Sequence, residues 1–96
     1  MNPIWHVETV LSNAEGWLMH VDDLAEELHP YAGAFGEHPS GGLSVWTCAS
    51  APDAIRAVQA ACLPVMDALR GVGLDPVIRS TQVLTEAEMD AYLASP

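Results

Sequence analysis

Apolar and polar positions alternate from Ile4 to Leu11. Trp5, Val7, Thr9 and Leu11 share one face, and Ile4, His6, Glu8 and Val10 the other. Period two in β-branched and aromatic residues predicts a strand. Ser12-Asn13-Ala14-Glu15 then matches a capping box, in which Ser12 and Glu15 each satisfy the other's amide. The period lengthens beyond it. Trp17, Val21, Leu24 and Leu28 fall at i, i+4, i+7 and i+11, the apolar stripe of a helix, with Asp22, Asp23, Glu26 and Glu27 largely off it. His29-Pro30 ends that helix, because the residue before proline disfavours helical geometry.

Tyr31 to Phe35 reads as a short edge strand, and Gly36 to Gly42 as a hairpin loop. A coil running from Tyr31 to Gly42 would be long for a compact domain. Leu43 to Ala49 is a strand. Ser50-Ala51-Pro52-Asp53 is a second capping pattern, with proline expected in the first helical turn. The helix it opens carries Ile55, Val58, Cys62, Val65 and Leu69 on one side. Pro64 inside it is expected to kink or split the helix near Cys62, at a cost of ~3 kcal/mol if uncompensated. Gly71 and Gly73 stop it. Pro76 to Leu84 reads as a last strand with weak alternation. Thr85-Glu86-Ala87-Glu88 is a third capping box, opening a short helix with Met89, Tyr92 and Leu93 on its apolar side.

The order strand, helix, short strand, strand, helix, strand, helix predicts a single α+β domain over residues 1–96. Two strand–helix–strand units on one sheet make the ferredoxin-like split βαβ arrangement, here with an added C-terminal helix. Both main helices would cover one sheet face. The other stays open unless a partner or the last helix covers it.

Charge narrows the function classes. The 96 residues include no lysine, three arginines and thirteen carboxylates, for a formal net charge of −10. Such a surface repels nucleic-acid phosphate and anionic lipid and favours basic protein partners or none. No apolar run approaches the ~20 residues of a membrane helix, and the residues before the first strand show no signal-peptide pattern, so none is expected. Cys48 and Cys62 make neither a disulfide framework nor a metal pair, so a reducing cytoplasm is expected. Absent lysine with abundant Ala, Gly, Pro and Val is the bias of a high-GC genome.

Chemical motifs are sparse. His6 and Glu8 share a strand face with Cys48 on a neighbouring strand, but no third positioning group is identifiable, so no catalytic residue is assigned. The four histidines and two cysteines lack zinc-ligand spacing, so no metal or cofactor is expected. The glycines of the Gly33–Gly42 loop lack the lysine and hydroxyl of a phosphate loop. Two interaction surfaces remain. One is the acidic helix face of Asp22, Asp23, Glu26 and Glu27. The other is an apolar patch of Trp46, Ile4 and His6 on the open sheet face, which either binds a partner or lies under the C-terminal helix.

Trp5-His6-Val7, Leu28-His29-Pro30, Leu43-Ser44-Val45, Asp53-Ala54-Ile55-Arg56-Ala57-Val58 and Thr85-Glu86-Ala87-Glu88-Met89-Asp90 with the following Leu93 together resemble uncharacterised small α+β accessory proteins of actinobacteria and their phages. The resemblance implies an α+β fold and a non-enzymatic accessory role, and it carries no functional residues. The expected function is a protein–protein interaction module, encoded by a bacterium or phage, that binds or inhibits a host protein. The alternative is a dimeric small-molecule sensor or regulatory domain.

Overall fold

A computed structural model describes residues 1–94. It is a small α+β structure in which a four-stranded sheet carries three α-helices. Strands β1 (Ile4–Ser12), β2 (Ala34–Glu37), β3 (Leu43–Ser50) and β4 (Val77–Thr85) lie in the order β2-β3-β1-β4. Every neighbouring pair is antiparallel. Helices α1 (Val21–Glu27) and α2 (Ala54–Gly71) pack on one face, and α3 (Glu86–Ala94) follows β4 directly.

The alternation in β1 sorts its residues as its sequence implies. Val7, Thr9 and Leu11 are buried beneath α1 and α2, with Leu43, Val45, Thr47 and Ala49 beside them on β3. Leu24 and Leu28 of α1 and Val65, Ala68 and Leu69 of α2 close this core. Each fully buried leucine contributes roughly 1.5–3 kcal/mol relative to exposure. Trp17 stacks on Phe35 at the core's edge, with centroids 6.3 Å apart. Trp5 borders the smaller cluster of Val7, Ala49, Ala51, Ala57 and Ala61, and its indole N–H donates to the Ala51 carbonyl at 2.9 Å.

Five local expectations are corrected. The Ser12–Glu15 box does not form, because Ser12 stays in β1 paired with Val77. The chain turns through positive φ at Asn13 and Gly16, and Trp17–His20 is a 3₁₀ turn before α1. Tyr31 belongs to a second 3₁₀ turn (His29–Tyr31) rather than to a strand, and the edge strand starts at Ala34. The cap of α2 is Asp53, which accepts from the Arg56 amide at 2.9 Å, so Pro52 precedes the helix. Pro64 does not split α2, which runs unbroken to Gly71. The carbonyl that Pro64 leaves without an amide belongs to Ala60, an exposed residue that water can reach. Ile55 also leaves the expected stripe. It is exposed, and Ala57 and Ala61 take the buried positions.

Beyond α2, Gly73 adopts φ 88° and its amide donates to the Arg70 carbonyl, while the Leu74 amide donates to Leu69. That pair of bonds is a Schellman motif, whose left-handed residue favours glycine. The register of β4 on β1 shifts between Val10 and Leu11. The extra residue is Arg79, and the bulge aims it at the β2–β3 loop, where it donates to the Gly41 carbonyl at 2.6 Å and Ser40 Oγ at 2.9 Å. Gly42 holds that loop against β1. It sits at φ 89°, and a Cβ there would meet the Leu11 carbonyl oxygen at 2.5 Å. Among the described residues, the outer side of β4 has no strand partner. Among the described residues, no helix is long and apolar enough to cross a membrane.

Candidate functional site

Helix α3 decides what the second sheet face presents. Its start is fixed by a reciprocal capping box. The Glu88 amide donates to Thr85 Oγ1 at 3.1 Å, and the Thr85 amide donates to Glu88 Oε1 at 2.9 Å. The bond from the Thr85 amide, with its hydroxyl beside it, holds the Glu88 carboxyl below its ordinary range. Anchored there, α3 folds back so that Tyr92 lies against Trp46, with centroids 5.7 Å apart and planes at 45°. Trp46 is therefore half-buried. Met89 is also half-buried, whereas Leu93 is exposed.

The three residues of the expected apolar patch share this face but are spread along it. Trp46 pairs with Glu8, His6 with Cys48, and Ile4 with Ser50 at the rim, where Ile4 is 46% exposed. Glu8 turns toward β3 and accepts from Ser44 Oγ at 2.5 Å. It is not the carboxylate beside the histidine.

That carboxylate is Glu86, the first residue of α3. Its Oε1 lies 3.7 Å from His6 Nε2, and His6 Nδ1 lies 3.4 Å from Cys48 Sγ. Three elements, β3, β1 and α3, thus align a thiol, an imidazole and a carboxylate. Glu86 favours the tautomer protonated on Nε2, leaving the Nδ1 lone pair for the thiol hydrogen. Burial, and secondarily the Glu86 charge, push the Cys48 thiol above its ordinary range. No sequence spacing links Glu86 to His6. The signal available was conditional: Thr85 as a cap places Glu86 beside β1 once β4 pairs with β1.

The acidic residues form a separate surface. Asp22, Asp23, Glu26 and Glu27 are all exposed on α1, and among the described residues no ion pair engages them. Glu26 and Glu27 rim a shallow depression of about 560 Å³ between α1 and α2, with Tyr31, Leu63, Pro30, Pro64 and Asp67. Leu63 is 67% exposed and Tyr31 38%. Asp22 and Asp23 do not line it. Sequence patterning missed Leu63 because it lies one position beyond Cys62, off the expected apolar stripe.

A cleft of about 510 Å³ lies at the other end of α1's connection to β1. Trp17, Glu15, Glu37, His38 and Arg79 are among its walls. Its guanidinium is the one already held by Gly41 and Ser40. No group of three or more metal-ligating side chains occurs among the described residues. The chain matches no protein-family model, no curated protein and no solved structure.

Proposed function

We propose that the chain is a non-enzymatic protein-binding module, ferredoxin-like in topology, that docks a basic protein segment on the depression between α1 and α2. The observation that carries this reading is the juxtaposition of exposed Leu63 and Tyr31 with the uncompensated carboxylates of Glu26, Glu27 and Asp67. An apolar centre with a charged rim is the anatomy of a binding surface. Arginine or lysine is the matching chemistry, since its stem packs on Leu63 while its head meets the rim. The net charge of −10 steers such a partner inward and opposes nucleic acid and anionic lipid. The strand order β2-β3-β1-β4, with antiparallel neighbours throughout, supports the ferredoxin-like assignment. Resemblance to small actinobacterial and phage proteins supports a cytoplasmic host protein as the target.

The test is capture of a partner from a high-GC bacterial lysate, followed by titration of the purified pair. The expected result is one dominant partner whose affinity falls from low to physiological salt. Leu63→Asp, and Glu26→Gln with Glu27→Gln, should each weaken it by about tenfold or more, roughly 1.4 kcal/mol. Trp46→Ala should leave it unchanged. Loss with Trp46→Ala alone would move the contact to the sheet face. A salt-independent partner would remove the acidic rim from the interface.

The ligand-sensor reading has the Arg79 cleft as its candidate site. It ranks second because the Nη2 of that guanidinium already donates to Ser40 and Gly41 of the loop.

A further inference from the structure

The aligned thiol, imidazole and carboxylate have no role in partner docking, and they carry chemistry of their own. We propose that Cys48, His6 and Glu86 form a thiol–disulfide exchange site, at which Cys48 takes up a neutral or cationic small disulfide as a mixed disulfide.

The geometry supplies each part. Cys48 is half-buried, and its Sγ lies 3.4 Å from its proton acceptor, His6 Nδ1. In the step, the Cys48 S–H proton passes to Nδ1 as Sγ attacks one sulfur of R–S–S–R. The Cys48–S–S–R bond forms, the original S–S bond breaks, and the departing thiolate takes the proton from the imidazolium to leave as R–SH. Cys48 is oxidised and half of the disulfide is reduced, so no further oxidant is needed. Glu86 lies nearer the imidazole than the thiol, so it stabilises the imidazolium formed on attack.

The reaction is a stoichiometric modification and not a turnover. Cys62, the other thiol, belongs to the opposite face, where its Sγ lies 3.7 Å from Thr9 Oγ1 in the core. It cannot resolve an adduct on Cys48. The titratable groups facing Cys48 are His6 and Glu8 from β1 and Glu86 from α3, and Glu8 is held by Ser44. With a thiol pushed upward by burial and by Glu86, free thiolate is scarce at neutral pH, and reaction depends on His6. The chain's charge of −10 sets the selectivity, since an anionic disulfide is repelled.

The experiment is intact-mass kinetics on the whole protein under native conditions, with cystamine, 2-hydroxyethyl disulfide and oxidised glutathione. One adduct is expected, lost in Cys48→Ala and retained in Cys62→Ala. Cystamine should react fastest and oxidised glutathione slowest at low salt. His6→Phe should slow the reaction ~10- to 100-fold. Glu86→Gln should slow it severalfold in the native background and accelerate it in the His6→Phe background, where only its repulsion of the thiolate remains. That reversal separates the role from mere packing. An adduct on Cys62, or oxidised glutathione reacting fastest, would overturn the proposal. So would a folded His6→Phe protein reacting at the native rate. If His6→Phe does not fold, an unslowed Glu86→Gln protein overturns it equally, because exposed Glu86 tolerates the change.

Discussion

Thr47 is the residue whose chemistry fits its place least well. It is 2% exposed on the core face of β3, and its hydroxyl has no partner among the described residues. Thr9, two residues along β1 from Thr47's partner Val7, at least has the Cys62 sulfur within 3.7 Å. A buried hydroxyl without a partner carries its desolvation penalty uncompensated. Thr47→Val keeps the shape and removes the oxygen, so it should stabilise the protein by about 1 kcal/mol, read as a higher denaturant midpoint at unchanged slope. A lowered midpoint would mean that the hydroxyl has a partner, such as a buried water. At this scale the alternation in β1 was a reliable guide. It put Trp5 and Val7 inward, and His6 outward beside Cys48. It was silent on Glu86, whose nearness to His6 depends on β4 pairing with β1 and on α3 beginning immediately afterwards.

Elements were legible in kind and less so in their ends. Three segments carry capping patterns of similar quality, and each fared differently. Thr85–Glu88 forms its full reciprocal box even though Thr85 is also the last residue of β4, paired with Trp5. At the second, the cap moved to Asp53 because β3 extends through Ser50. The first was lost to strand pairing, which occupies Ser12. A strand's last residue can serve ladder and cap together, as Thr85 does, or the ladder alone, as Ser12 does, and sequence read in short windows does not show which. The Thr85–Glu88 box gives α3 a pH dependence. The folded-state pKa of Glu88 is depressed, so its stabilisation is complete above the ordinary carboxyl range and is lost as pH falls through the lowered value. Acidification should therefore loosen α3 first and uncover Trp46, shifting its emission before global unfolding. Glu88→Gln should weaken that early phase. An early phase of equal size in Glu88→Gln would assign it to other carboxylates.

For the whole molecule, the order of strands and helices was readable from period changes together with capping, proline and glycine signals, and it predicted the α+β sheet with two helices on one face. What covers the second face was not readable, because a short helix with Met89 and Tyr92 suits either a partner or its own sheet. The surface depression was equally hidden. It is lined by exposed Leu63 of α2 and by Tyr31 of the turn after α1, a juxtaposition that neither segment's own periodicity implies. The acidic balance was visible from composition, and the structure adds where it goes uncompensated.

One consequence follows from the unpaired outer side of β4. Its nine residues contain a single charge, Arg79, and that one is turned toward the loop. Lysine, a common guard on such edges, is absent from the entire chain. Colloidal stability therefore rests on mutual repulsion between molecules. At the isoelectric point, near pH 4.3, that repulsion vanishes while the edge still offers its row of amides and carbonyls. Light scattering should rise sharply there, with added β-sheet signal in the infrared, and Thr81→Lys should suppress both by restoring charge on the edge itself. In this chain, acidity is the gatekeeper against sheet-to-sheet growth, and an acid compartment would remove it.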